Sequence, residues 1–341
     1  MKTMKKYSPA VLASDDTLAQ HAFPKKIFQT WDDCTVPVGM FDAMQSWIQH
    51  NPDWGYHLFD DDDIRLFIQA HFSSDVVSAY DQLVPGAYRA DLWRYCVLYI
   101  HGGVYADAKL ICHQSLQDVL PAAVDFITVR DVVRKRREFP GYLWQAFMVA
   151  KPGLALFKIA IDRIVQYVEA GYYGCDPLSI TGPGLLGKAL NVSLGRAECA
   201  ALEIGRYETA GFICDLHDRP GLAEPLTLSF YQHRHWITAY AGYSSDRVNE
   251  TQSHQERLIK DYPACWMLGQ VYRHGRCVRD GRYSFYRQRA AKFFARQVRA
   301  AYVTGDRGRA RALFRQAMQV KWFNLRLFVT WLRYGILNRR C

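Results

Sequence analysis

Acids almost vanish from the end of this sequence. Between Gly281 and Cys341 there is a single one, Asp306, against 15 lysines and arginines. The remaining residues carry 28 basic and 32 acidic side chains, so the formal net charge of +10 belongs to the last 61 residues. Such a tail calls for a partner of negative charge, a membrane surface or a nucleic acid. A spanning helix is excluded there, because the apolar run from Trp322 to Leu337 is short and is interrupted by Arg326 and Arg333. Cysteine spacing of the CxxC kind is also missing. The nine cysteines are odd in number and several lie in apolar runs, which reads as reduced core thiols in a cytosolic protein. No sustained apolar segment follows the basic start "MKTMKKYSPAVLASDD", so a secretory signal is not expected. Asn191-Val-Ser and Asn249-Glu-Thr are then chance matches to the glycosylation pattern. Repeats, low-complexity segments, GxSxG, HExxH, a P-loop and zinc spacing are all lacking, which removes the chemistries that those patterns carry.

What is present is the alternation of strands and helices. "FPKKIFQTW" (Phe23 to Trp31) reads as a first strand, 41–50 as a short amphipathic helix, and 56–60 as a strand. Asp60 to Asp63 supply acids to the first turn of a helix running to Phe72; a metal cluster is the less favoured alternative. Ala87 to Ile100 has helical spacing, with Ala90, Trp93, Cys96, Val97 and Ile100 on one side. Strands are expected at 104–106, 124–129 and 144–150, and a helix at 154–169. This order predicts an α/β architecture with a mostly parallel sheet flanked by helices. Residues 1–22 form an arm, 23–280 the main domain, and 281–341 a basic helical tail. Trp322, Phe323, Phe328 and Trp331 among its arginines suit a bilayer interface; a hairpin packed on the body is the alternative. No nucleic-acid partner is expected, since these aromatics lie in apolar helical runs and not in exposed stacking patterns.

The candidate site lies in "LYIHGGVYADAKL", Leu98 to Leu110. Ligands of open α/β sheets bind at the carboxyl ends of strands, where Asp107 falls. Upstream, Asp91 and Arg94 are three apart, share a helix face and can reach one ligand together. A carboxylate suits a ribose diol, and a guanidinium suits phosphate. Gly102 and Gly103 let the backbone turn sharply from helix into strand. An exposed ion pair is the bland reading of Asp91 and Arg94.

"RADLWRYCVLYIHGGVYAD" closely resembles the DXD-region signature of the glycosyltransferase sugar-binding family (glycosyltransferase family 32), and more distantly the glucosylating bacterial toxins. "FPKKIFQTW", "WIQHNPDWGYHLFDDDDIRLFI", "WQAFMVAKPG" and "ITGPGLL" resemble further segments of that family, in order over residues 23 to 190. "YQHRHWITAY" is similar to a His-Trp segment near its end. The resemblance implies a GT-A-type fold, a UDP- or GDP-linked sugar donor, a glycan or glycolipid acceptor, and retention of anomeric configuration. It implies that Trp31 stacks on the nucleobase, that Asp91 and Arg94 hold ribose, sugar or phosphates, that Tyr105 lies by the base or diphosphate, and that Asp107 opens the DXD motif. Gln145 is a candidate for the donor sugar. Thr181-Gly182-Pro183 reads as a tight turn, with Thr181 and Gly182 bordering the acceptor pocket as the alternative. His235 and Trp236 are further acceptor or closing candidates, His235 as a phosphate contact with a satisfied structural histidine as the alternative, and Tyr262 and Trp266 either close over the diphosphate or pack.

Lys109 stands where the family has its second Asp, the carboxylate that binds a divalent cation, Mn2+ or Mg2+. Three readings stay open. Lys109 offsets diphosphate charge itself; or Asp107 holds the ion with another residue while Lys109 points away; or turnover is lost and a nucleotide-sugar-binding or scaffold protein remains. With Asp107 and Lys109 as the catalytic pair, the sequence reads as a hexosyl- or N-acetylhexosaminyltransferase. Its expected place is bacterial capsule or lipopolysaccharide synthesis, cytoplasmic and peripheral on the inner face of the cell membrane.

Overall fold

Two glycines decide where the site can form. In a computed structural model of the chain, Gly102 (φ +62°) and Gly103 (φ +90°) end one helix and begin one strand without an intervening loop. A Cβ on Gly103 would stand 2.6 Å from the Lys26 carbonyl oxygen, so the close approach of two strands also requires glycine. The structure describes residues 1–4, 23–32, 34–120, 125–131, 141–200, 212–213, 237–239, 262–278, 295, 298–299, 301–303 and 305–320.

The strands are β1 (Lys2–Thr3), β2 (Lys26–Thr30), β3 (Thr35–Val36), β4 (Gly55–Phe59), β5 (Gly103–Ala106), β6 (Leu110–Cys112), β7 (Phe126–Arg130), β8 (Leu143–Ala150), β9 (Phe212–Ile213) and β10 (Ile237–Ala239). Six of them form one sheet in the order β4-β2-β5-β8-β7-β9. β4–β2, β2–β5 and β7–β9 pair in parallel, while β8 runs antiparallel to both of its neighbours. The α/β sheet flanked by helices is therefore present, with β8 as the strand that departs from the parallel expectation.

Helices α1 (Val38–His50), α2 (Asp61–His71), α3 (Ser74–Gln82), α4 (Gly86–His101), α5 (Leu116–Val119), α6 (Ala155–Ala170) and α7 (Pro183–Ser193) cover the sheet. Side-chain alternation sorts the strands onto two cores. Phe28, Tyr105 and Met148 face the core built with α2, α3, α4, α6 and α7. Ile27, Val104, Phe147 and Val149 face the other, built with α1 and β6. β6 pairs antiparallel with β10 in a separate ribbon.

α4 is the central helix. Residues 91 to 98 are buried without a break, so the one-sided pattern expected for it is corrected: sheet, α2, α6 and the helix Tyr262–Leu268 cover it on several sides. Asp60 caps α2 by accepting from the Asp63 backbone at 3.0 Å, and Asp63 accepts in return from the Asp60 backbone at 3.2 Å. This capping box is what the acidic run does. α3 and α7 were not expected. Pro183 at the first position of α7 starts a helix where a tight turn was predicted. Asn191 is fully buried and donates to the carbonyls of Glu198 and Ala200, a structural role that leaves no acceptor for a glycan.

The arm and the tail both touch the body. Lys2–Thr3 pair with Thr35–Val36, and Met4 is buried in the second core. In the tail, the helix Arg307–Val320 buries Ala310 and Leu313 and lies against Tyr262–Leu268. Arg307, Arg311 and Arg315, four apart, are exposed. Trp322, Phe323, Phe328 and Trp331 lie outside the described residues. No helix among the described residues is long and apolar enough to cross a membrane. Among the described residues, no two cysteines are joined by a disulfide.

Candidate functional site

β5 is the second-to-last step of a short path. It delivers Asp107 at its carboxyl end, and the Asp107 amide extends the strand by donating to the Ala146 carbonyl at 2.8 Å. The chain then reverses. The Leu110 amide donates back to the Asp107 carbonyl at 2.9 Å, closing a tight turn through Ala108 and Lys109. The turn is held from the α1 side, where Trp47 Nε1 donates to the Leu110 carbonyl at 2.6 Å. Gln29 Nε2 reaches the Asp107 carbonyl at 3.4 Å, and Gln29 is itself held by the Tyr56 hydroxyl at 2.6 Å.

Asp91 and Arg94 converge on this strand end as their spacing predicts. Arg94 Nη2 lies 3.3 Å from Asp91 Oδ1 and 3.5 Å from Asp107 Oδ1. Both Asp91 and Arg94 are 5% exposed, which makes the pair a buried one and not a surface ion pair. A buried charge persists only with partners. Arg94 Nη1 donates to the Gln145 carbonyl at 2.9 Å, Nε to the Ala90 carbonyl at 3.3 Å, and the guanidinium sits 4.4 Å over the Tyr105 ring. Asp91 accepts from Thr181 Oγ1 at 2.7 Å and from Gln145 Nε2. The Tyr95 hydroxyl stands 2.5 Å from Gln145 Oε1 and 2.8 Å from the Thr181 carbonyl.

Asp107 is served by three donors. Tyr105 donates its hydroxyl at 3.0 Å, Arg94 approaches the same oxygen, and Lys109 Nζ lies 3.0 Å from the other. Burial pushes the Asp107 carboxyl up, but the charges of Lys109 and Arg94 and the bonds from Lys109 and Tyr105 hold it below the usual carboxylate value. Burial raises Asp91 to about 6, against the pull of Arg94 and the Thr181 bond.

This donor set does not fit a divalent cation. Both oxygens of Asp107 are engaged, and two cationic side chains flank it. At an effective dielectric of about 20, a dication about 4 Å from an ammonium meets about 8 kcal/mol of repulsion. Among the described residues, no three His, Cys, Asp or Glu side chains gather as ligands. The reading in which Lys109 points away is thereby corrected. β5 ends at Ala106, and the turn brings the ammonium back onto Asp107.

The other expected residues fall into four groups. Tyr105, 1% exposed, and Gln145, 7% exposed, support Arg94, Asp91 and Asp107 from below. Thr181 and Gly182 do come to the site: a Cβ on Gly182 would lie 3.5 Å from Asp91 Oδ2 and 3.5 Å from Gln145 Nε2. Trp31, half-buried, packs against the core on the other face of the sheet, with its amide donating to the Phe59 carbonyl at 3.2 Å. Trp266 does not close over the site. It is 1% exposed and donates Nε1 to the Tyr173 carbonyl at 2.7 Å, and half-buried Tyr262 packs 5.8 Å from the Tyr88 ring. His235 and Trp236 lie outside the described residues. Sequence reasoning missed Tyr95, although its place four after Asp91 puts it on the same helix face. Gln29, Tyr56 and Trp47 carried no signal beyond their strand and helix positions.

Asp91 and Arg94 thus form a buried acid–guanidinium pair that faces Asp107 at the strand end. Residues 37–126, a stretch that includes Asp91, Arg94, Tyr105, Asp107 and Lys109, match the family described as "Glycosyltransferase sugar-binding region containing DXD motif". The chain is 35% identical over 99 residues to inositol phosphoceramide mannosyltransferase 3 of Schizosaccharomyces pombe, covering 29% of this chain and 28% of that protein. It is 33% identical over 124 residues to the initiation-specific alpha-1,6-mannosyltransferase of Candida albicans, 31% of each. It thus spans about a third of the length of the curated relatives that it matches. Among solved structures it is similar to the PaToxG glycosyltransferase, with 16% identity and a TM-score of 0.41 over 51% of this chain and 70% of that one.

Proposed function

We propose that the chain is a glycosyltransferase that takes a hexosyl group from a nucleoside-diphosphate sugar and places it on a hydroxyl of a glycan or glycolipid. The observation that carries this reading is the convergence of Asp91, Arg94 and Asp107 at the carboxyl end of β5. In the reaction the bond between the anomeric carbon and the diphosphate breaks, and its electron pair stays on the diphosphate oxygen. The acceptor oxygen forms the new bond to that carbon, and its proton leaves to the departing diphosphate. The chain contributes placement of the two reactants and positive charge where the diphosphate departs. The donor is UDP- or GDP-linked, and the names of the relatives favour mannosyl over N-acetylhexosaminyl. Retention of configuration stays part of the proposal on the family resemblance alone. An acceptor in bacterial capsule or lipopolysaccharide synthesis draws no support from the relatives, which come from fungi and a mimivirus. A lipid-linked acceptor suits a cytoplasmic chain held at an anionic membrane surface by the exposed Arg307, Arg311 and Arg315.

Incubating the full chain with a panel of UDP- and GDP-sugars and measuring released nucleotide tests the reading. One donor is expected to be consumed well above the others. If the nucleotides bind and no donor turns over with any sugar or lipid acceptor, the non-catalytic binding reading replaces it.

A further inference from the structure

With two carboxylates at positions 107 and 109, the site would hold Asp91, Asp107 and a further acid against Arg94 alone. A dication would offset that excess. Lysine at 109 in place of aspartate changes the local charge by two units in the positive direction, the same change that binding a dication makes. Among the described residues, Asp91 and Asp107 face Arg94 and Lys109 at this strand end.

Resting on the glycosyl-transfer reading above, we propose that Lys109 is the built-in counter-charge for the diphosphate of the donor, and that this chain binds a nucleoside diphosphate without a metal ion. Three features of the structure support this. The turn closed by Leu110 and Asp107 presents the Lys109 ammonium beside the strand end, and Trp47 and Gln29 fix that turn from the opposite side. Asp107 holds the ammonium in place beside the strand end at 3.0 Å through one of its oxygens. Of the two cations, Lys109 is the one within reach of a ligand. Its side chain is 19% exposed against 7% for Arg94, whose Nε, Nη1 and Nη2 all bond within the chain. Arg94 thus sets the position of Asp107, Asp107 sets the position of Lys109, and Lys109 meets the phosphates.

The test is equilibrium binding of UDP and of GDP to the full chain, in EDTA and in Mn2+, for the wild type, Lys109→Arg, Lys109→Met and Lys109→Asp. The wild type is expected to bind one nucleotide with the same affinity in both conditions. Lys109→Met, which keeps the apolar stem, is expected to bind about tenfold or more weakly, and Lys109→Arg within a few-fold of wild type. Lys109→Asp is expected to bind poorly in EDTA and to recover in Mn2+. Wild-type binding that needs Mn2+, or unchanged affinity in folded Lys109→Met, overturns the role of Lys109 and leaves glycosyl transfer standing. Failure of every form to bind either nucleotide in either condition overturns both. Should Lys109→Met not fold by circular dichroism, the wild-type chelator comparison and Lys109→Asp decide the matter.

Discussion

Thr181 donates its hydroxyl to the Asp91 carboxylate at 2.7 Å, joining the start of α7 to the middle of α4 across ninety positions of sequence. Both residues are buried, so the bond cannot be replaced by water without rearrangement. Thr181→Val removes the donor and keeps the shape. It is expected to cost about 1–3 kcal/mol, and Thr181→Ser much less. Urea denaturation of the two variants measures this. The valine variant should also push the Asp91 carboxyl above its value of about 6.

Gly103 admits no side chain. Its φ of +90° is strained for any other residue, and a Cβ would press on the Lys26 carbonyl at 2.6 Å. Gly103→Ala is expected to cost more than about 2 kcal/mol and to lower soluble yield, because it parts β5 from β2. A Gly153→Ala control also has positive φ (+75°) but meets nothing within 4 Å, and should be milder.

Acid is expected to weaken the fold through His57 and His101. Burial, with Lys26 nearby, lowers both to about 4. His101 Nε2 is buried without a hydrogen-bond partner, and both rings lie stacked near Phe28. Between their unfolded value near 6.5 and about 4, the unfolded chain binds protons that the folded chain does not, so stability falls as pH falls through that window. Asp91 works the other way: its raised carboxyl favours the fold at low pH and costs stability as pH rises through about 6. Asp61, raised by burial, acts with Asp91, and His113, lowered by burial, acts with His57 and His101; the histidines dominate, so the melting temperature should drop from pH 6.5 to pH 4. His101→Phe should flatten the drop.

The exposed arginines of the tail predict vesicle binding. Each near an anionic surface contributes about 1 kcal/mol. Replacing Arg307, Arg311 and Arg315 by Gln is therefore expected to weaken binding to phosphatidylserine vesicles about a hundredfold, and added salt should do the same. Sedimentation with vesicles checks it. Equal pelleting of the variant would assign membrane contact elsewhere or remove it.

Much of the site was legible because its signals are local. The spacing of Asp91 and Arg94 fixes a shared helix face, Gly102-Gly103 marks the reversal into β5, and the strand end carries Asp107. The acidic run from Asp60 announced its cap in the same way. What was illegible depends on distant pairing. Nothing near β8 reveals that it runs antiparallel to β5, and that pairing is what brings Gln145 to Asp91 and Arg94. Trp266 was a plausible closing residue until its N–H proved to be bonded to Tyr173, 93 positions away. Lys109 was ambiguous because its direction hangs on whether the strand continues or turns, and the Leu110 amide settles that. α7 hid behind the Thr181-Gly182-Pro183 turn signal, although Pro is also at home in the first turn of a helix.

The most direct test of the account is steady-state nucleotide release from the preferred donor by the wild type and Asp107→Asn. Asparagine keeps the shape and removes the charge that positions Arg94 and Lys109. The account predicts a fall in turnover of about a hundredfold or more with the fold intact by circular dichroism. Wild-type turnover in folded Asp107→Asn would contradict it.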